Sequence, residues 1–133
     1  AYVMGEHGDS EFVPWSNATI GSQNINDFIS EQELENICEE VRNAAYKIIE
    51  RKGNTSYGIG VCLVKITNAI LGDENIIISV SAYDKANEIY ISTPAIINKE
   101  GIKEKLFIDF TESETLKMQH SVDVIKQAIK SIE

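Results

Sequence analysis

A histidine between two glycines is the residue in this chain best suited to moving a proton. It lies in the segment Gly5-Glu6-His7-Gly8-Asp9-Ser10-Glu11-Phe12. An imidazole ordinarily titrates at about 6.5, so it can take or return a proton near neutral pH. Flanking glycines on a strand-to-loop transition leave room for a substrate to approach the ring. Asp9 is close in sequence, but two positions of separation do not ensure a hydrogen bond to the ring. Spacing alone describes a histidine in a polar turn equally well. A metal set drawn from Glu6, His7, Asp9 and Glu11 is disfavoured. It would hold a single imidazole, and alternate residues of an extended segment face opposite ways.

The other reactive side chains say less. Cys38 and Cys62 sit in helix-like patterns without CxxC or Cys/His spacing, and read as core thiols of a reducing compartment. His120 reads as a surface or boundary residue of the last helix. Asn17-Ala18-Thr19 and Asn54-Thr55-Ser56 match glycosylation sequons by chance if the chain takes no secretory route. Phe12 and Trp15, beside the histidine, could line a pocket or belong to the core.

These residues need a scaffold, and hydrophobic periodicity supplies one. Leu34, Ile37, Cys38, Val41, Ala45, Ile48 and Ile49 recur at helical spacing, predicting a helix over residues 31–52. Ser30 and Glu33 form a capping box at its start, and Gly53 a stop or kink. A second stripe of Ile59, Cys62, Leu63, Ile66, Ala69 and Ile70 ends at Gly72, so the two could form one rod bent at Gly53-Asn54. β-rich runs follow at residues 76–80, 89–91, 95–97 and 105–110, with a turn at Asn98-Lys99-Glu100-Gly101. A final helix opens at Thr111 with a second capping box to Glu114, and its apolar stripe faces either its own sheet or a partner. Helices with adjacent antiparallel strands make an α+β fold.

Length and charge narrow the function classes. The chain has 133 residues, 43% hydrophobic and 25% charged, which suits one domain with one core. It is too short for a dinucleotide-binding domain beside a substrate domain. A formal charge of −9, with no basic cluster, argues against a nucleic-acid partner. The six acids between positions 27 and 40 read as a solvated face. No apolar run reaches a membrane span of about 20 residues. No secretory signal is visible, so a cytoplasmic location is expected; the absent initiator Met suggests processing or a fragment.

The wording of the motifs is more specific than their spacing. Tyr2-Val3-Met4-Gly5-Glu6-His7-Gly8-Asp9-Ser10-Glu11-Phe12, then Trp15-Ser16, resembles the active-site segment of bacterial L-lactate dehydrogenases, in the lactate/malate dehydrogenase family. Val41-Arg42-Asn43-Ala44-Ala45-Tyr46-Lys47-Ile48-Ile49 and Lys52-Gly53-Asn54-Thr55-Ser56-Tyr57-Gly58-Ile59 look like that family's bent helix. Ala69-Ile70-Leu71, Asp73-Glu74-Asn75, Ile89-Tyr90-Ile91 and Pro94-Ala95 with Asn98 fit the segments that follow, in register over nearly the whole chain.

The resemblance implies a C-terminal substrate and catalytic domain over residues 1–133, with antiparallel strands packed on a long bent helix and a C-terminal helix. It implies that His7 is the proton acceptor and donor, that Thr55 contacts a small 2-hydroxy or 2-oxo acid, and that Ile59 packs on the nicotinamide of NAD. Read without it, Thr55 could cap the second helix and Ile59 could be ordinary core. A homotetramer is likewise implied.

The chain also departs from the family's pattern. Gly58-Ile59-Gly60, with Leu63 where a third glycine is needed, lies in a predicted helix and is no phosphate loop. The family's substrate-clamping arginine, carbonyl-polarising arginine and histidine-orienting aspartate all precede the histidine. Neither Arg42 nor Arg51 matches them. The NAD-binding Rossmann domain is therefore expected to lie outside this chain, and the 133 residues alone are expected to be inactive. Between Ser79 and Ile89, Ala82-Tyr83-Asp84-Lys85-Ala86-Asn87-Glu88 replaces a longer family hairpin containing a Gly turn. Two readings stand: the catalytic half of an L-lactate dehydrogenase, or a stand-alone domain that keeps the fold as a binding or assembly module.

Overall fold

The computed structural model describes residues 1–132. A small hairpin, β1 (Thr19–Ile20) and β2 (Gln23–Asn24), precedes helix α1 (Glu31–Lys52). That hairpin turns at Gly21 and was not expected; two-residue strands carry no alternation to read. Ser30 and Glu33 close the predicted capping box: the Ser30 hydroxyl accepts from the Glu33 amide, and the Glu33 carboxylate from the Ser30 amide at 3.1 Å.

Helix α1 ends where expected. Gly53 adopts φ +78, the left-handed conformation that ends many helices, and its amide donates to the Ile49 carbonyl at 2.7 Å. Residues 53–56 are not helical, so α2 (Tyr57–Leu71) is a separate helix and not the continuation of a bent rod.

The sheet is β3 (Ile76–Asp84), β4 (Ile89–Asn98) and β5 (Gly101–Lys105), antiparallel with β4 in the centre. Two predicted runs, 89–91 and 95–97, are a single strand that passes through Pro94. Pro94's carbonyl accepts from the Leu106 amide at 2.9 Å, so its nitrogen also faces the β5 side. The ladder with β5 ends next door, at Ala95 opposite Lys105, and there a missing N–H costs little. The same proline explains the misplaced last strand. The strand expected over 105–110 instead occupies Gly101–Lys105, because the partner beyond it offers no donor. Residues 106–110 leave the sheet, and Phe110 packs against Phe12 with ring centroids 5.9 Å apart.

Helix α3 (Glu112–Lys130) starts at its predicted box of Thr111 and Glu114. Met118, Val122 and Ile125 pack on Ile89 and Ile91, so this stretch of the stripe faces its own sheet. A second cluster sets Ala69 of α2 against Ala95 and Ile97 of β4. The result is an α+β fold in which α2 and α3 both rest on the central strand. Cys38 is buried as expected, but Cys62 is exposed: α2 keeps only Ala69 fully covered.

Candidate active site

The histidine segment is a loop with its ends tied together. Met4 and Phe12 exchange backbone hydrogen bonds at 2.9 and 3.0 Å, and Gly5 pairs with Ser92 of β4. Both Met4 and Phe12 are 2% exposed, so the loop stands on the core. Within it, the Glu6 carboxylate accepts from the amide and hydroxyl of Ser10, and the Glu11 amide donates to the Gly8 carbonyl at 3.1 Å. His7 is at the exposed tip.

Three tethers reach the loop from elsewhere. The buried hydroxyl of Ser121 in α3 donates to the Ser10 carbonyl at 2.6 Å. Arg42 Nη2 in α1 donates to the Glu11 carbonyl at 3.2 Å. One turn further along α1, the Tyr46 hydroxyl donates to Asp9 Oδ1 at 3.1 Å. Losing the hydroxyl proton would end that bond and set two anions together, which holds the Tyr46 phenol above its ordinary pKa. Asp9 thus answers to Tyr46, and among the described residues the imidazole has no carboxylate partner.

Between the loop, the second half of α1 and the first turns of α2 lies a cleft of about 760 Å³. His7, Thr55 and Ile59 all line it. Thr55 belongs to the non-helical link, and Ser56, not Thr55, occupies the N-cap of α2. Ile59 is 53% exposed, which excludes a core role within this chain. Val41, Ile48 and Tyr57 add further exposed apolar surface to the same walls.

Arg42 and Tyr46 are cleft residues that their sequence motif did not assign a task. Their i, i+4 spacing on α1 gives them a common face, but only the folded chain shows that the loop lies against it. Arg42 also approaches Cys38 Sγ at 3.9 Å, while burial raises the Cys38 thiol pKa against the lowering effect of that guanidinium. Gly58 and Gly60 lie in the first turns of α2, so they form no strand-to-helix phosphate loop. Trp15 faces another groove, beside Leu34 and Glu114; Phe12 is core. Among the described residues, no group of three or more His, Cys, Asp or Glu side chains is gathered as a metal site.

An α+β domain with a loop histidine at the mouth of an apolar cleft defines a class. The profile of the lactate/malate dehydrogenase α/β C-terminal domain matches residues 1–133, and the chain belongs to that family. L-lactate dehydrogenase 2 of Bacillus cereus is 43% identical over 142 aligned positions, covering 99% of this chain and 45% of the relative. L-lactate dehydrogenase 1 of Bacillus thuringiensis is 42% identical with the same coverage. The chain spans a little under half the length of these relatives. At least nine of the 142 positions must be gaps in a chain of 133, consistent with a shortened segment.

Solved structures agree. A lactate dehydrogenase from a Medee basin deep-sea metagenome library superposes with a TM-score of 0.92 at 40% identity, over 98% of this chain and 45% of that one. The minor L-lactate dehydrogenase of Enterococcus mundtii gives 0.92 at 34%, over 99% and 45%. The malate dehydrogenase of Aeropyrum pernix gives 0.89 at 31%, over 98% and 46%.

Proposed function

We propose that this chain is the substrate-binding, catalytic half of an NAD-dependent L-lactate dehydrogenase that interconverts (S)-lactate and pyruvate. The observation that carries this reading is the meeting of His7, Thr55 and Ile59 in one cleft, though up to 52 positions separate them. The relatives named L-lactate dehydrogenase support lactate as the substrate.

Oxidation of a 2-hydroxy acid removes a hydride from C2 and a proton from the hydroxyl. NAD, when bound, supplies the acceptor for the hydride. The cleft fits the nicotinamide end of that cofactor, since Ile59 offers an exposed apolar side chain on its wall. The chain's own part is the proton. His7, exposed at its loop tip, takes the hydroxyl proton as the carbonyl forms, and gives it back in the reverse direction. Thr55, which lines the same cleft, contacts the small acid and limits the size of its side chain. Ile59 excludes water from the face where hydride moves.

The remaining machinery belongs to a partner domain outside this chain. A pyrophosphate needs a Gly-rich turn, and a carboxylate needs an unengaged arginine fork. Arg42 already serves the Glu11 carbonyl. The exposed apolar residues Val61, Leu63 and Val64 of α2 provide surface for a missing NAD-binding domain or for other subunits of a tetramer. A cytoplasmic location fits such an enzyme, and no described helix is long and apolar enough to cross a membrane.

The test is pyruvate-dependent NADH oxidation by the full-length protein, with the 133-residue chain beside it. Turnover by the full-length protein alone is expected. An inactive full-length protein would favour the binding-module reading; turnover by the short chain would refute the division of labour.

A further inference from the structure

We propose that Ser121, on the last helix, is a positioning residue for the proton-transferring histidine. This rests on the role proposed for His7. Ser121 is completely buried, 111 positions from the residue it contacts. Its hydroxyl donates to the Ser10 carbonyl at 2.6 Å and lies 3.2 Å from the Ser10 hydroxyl. The same hydroxyl also abuts Gly5, whose backbone is held at φ +95. A Cβ at Gly5 would run into it, so the glycine is required both by the backbone and by this approach.

Gly5 and Ser10 bracket His7, so one buried hydroxyl touches both sides of the loop that carries the imidazole. The other side-chain tethers hold less. Tyr46 and Asp9 are exposed, the Glu6–Ser10 pair lies within the loop itself, and the half-buried Arg42 of α1 reaches only the Glu11 carbonyl, on one side of His7. Ser121 instead connects the loop to a helix packed on the central strand through Val122. Reacting groups misplaced by about 1 Å can lose up to two orders of magnitude in rate. With no carboxylate among the described residues orienting the ring, the loop depends on its backbone anchors for that placement.

Ser121→Ala removes the hydroxyl without adding bulk. Val122→Ala, on the next residue, loosens the same helix where it packs on Ile89 and Ile91 and serves as the structural control. Both are made in the full-length protein. In Ser121→Ala, the Glu11 amide, which closes the loop onto Gly8, is expected to exchange roughly tenfold faster. Pyruvate reduction is expected to fall roughly tenfold in kcat, with the KM for NADH within about twofold. Val122→Ala should leave that amide and the kcat within about twofold. Equal changes in the two variants would overturn the proposal, as would an unchanged Glu11 amide or an unchanged kcat in Ser121→Ala. If the wild-type protein does not reduce pyruvate, the role of His7 fails, and the exchange comparison still decides whether Ser121 anchors the loop.

Discussion

Tyr46 and Asp9 are joined by a hydrogen bond of 3.1 Å that spans 37 positions of sequence and ties the second half of α1 to the histidine loop. Asp9 is therefore engaged with the helix and not with the imidazole two residues before it. The bond has a spectroscopic consequence. Tyr46 should ionise above the ordinary phenol value of about 10, because its proton is shared with a carboxylate. An ultraviolet pH titration of wild type and Tyr46→Phe isolates this phenol among the five tyrosines. Asp9→Asn should bring its transition back down; a transition unaffected by Asp9→Asn would show that the pair does not exist in solution.

Glu114 offers a pH-dependent test of the fold. It is 7% exposed and accepts from the Ser16 amide at 3.0 Å, the Ser16 hydroxyl at 2.6 Å and the Thr111 amide at 2.9 Å. Burial pushes its carboxyl pKa up, but these hydrogen bonds outweigh burial and leave it below the ordinary value. A depressed folded pKa means stabilisation that is complete above the unfolded pKa and lost as pH falls through the folded one. Glu114→Gln is expected to cost about 1–3 kcal/mol near neutral pH. The difference from wild type should shrink below the unfolded carboxylate pKa of about 4.5, in thermal or denaturant melts. A penalty that does not change between neutral and acid pH would contradict the assignment.

Ile59 separates a cofactor contact from a core residue. At 53% exposure its replacement by Asn should alter the stability of the isolated chain by less than about 0.5 kcal/mol. In the full-length protein the same change should raise the KM for NADH by roughly tenfold, through loss of an apolar wall worth about 1–2 kcal/mol. A large stability loss with an unchanged KM would return Ile59 to the core.

Much of this architecture was legible in local sequence. Ser30 with Glu33 and Thr111 with Glu114 marked two helix starts, because capping is satisfied within four residues. Pro94 was harder. The sequence reads as two separate runs on either side of it, whereas its position relative to the end of β5 lets one strand pass through it. That relation is tertiary, and it also displaced the last strand. At the site, the motif around His7 was plain to read. Its anchors were not, since Ser121 and Tyr46 become neighbours of the loop only when α3 and α1 pack beside it. Cys62 showed the reverse error: helical periodicity marks an apolar face but cannot say whether this chain covers it.

The central claim is that His7 carries the proton of lactate oxidation. The most direct measurement is kcat for lactate and for pyruvate, at saturating substrate and cofactor, in full-length wild type and His7→Ala. A loss of roughly 10² to 10⁴-fold is expected in both directions, with folding preserved because the side chain is exposed at its loop tip. An unchanged kcat in His7→Ala would contradict it.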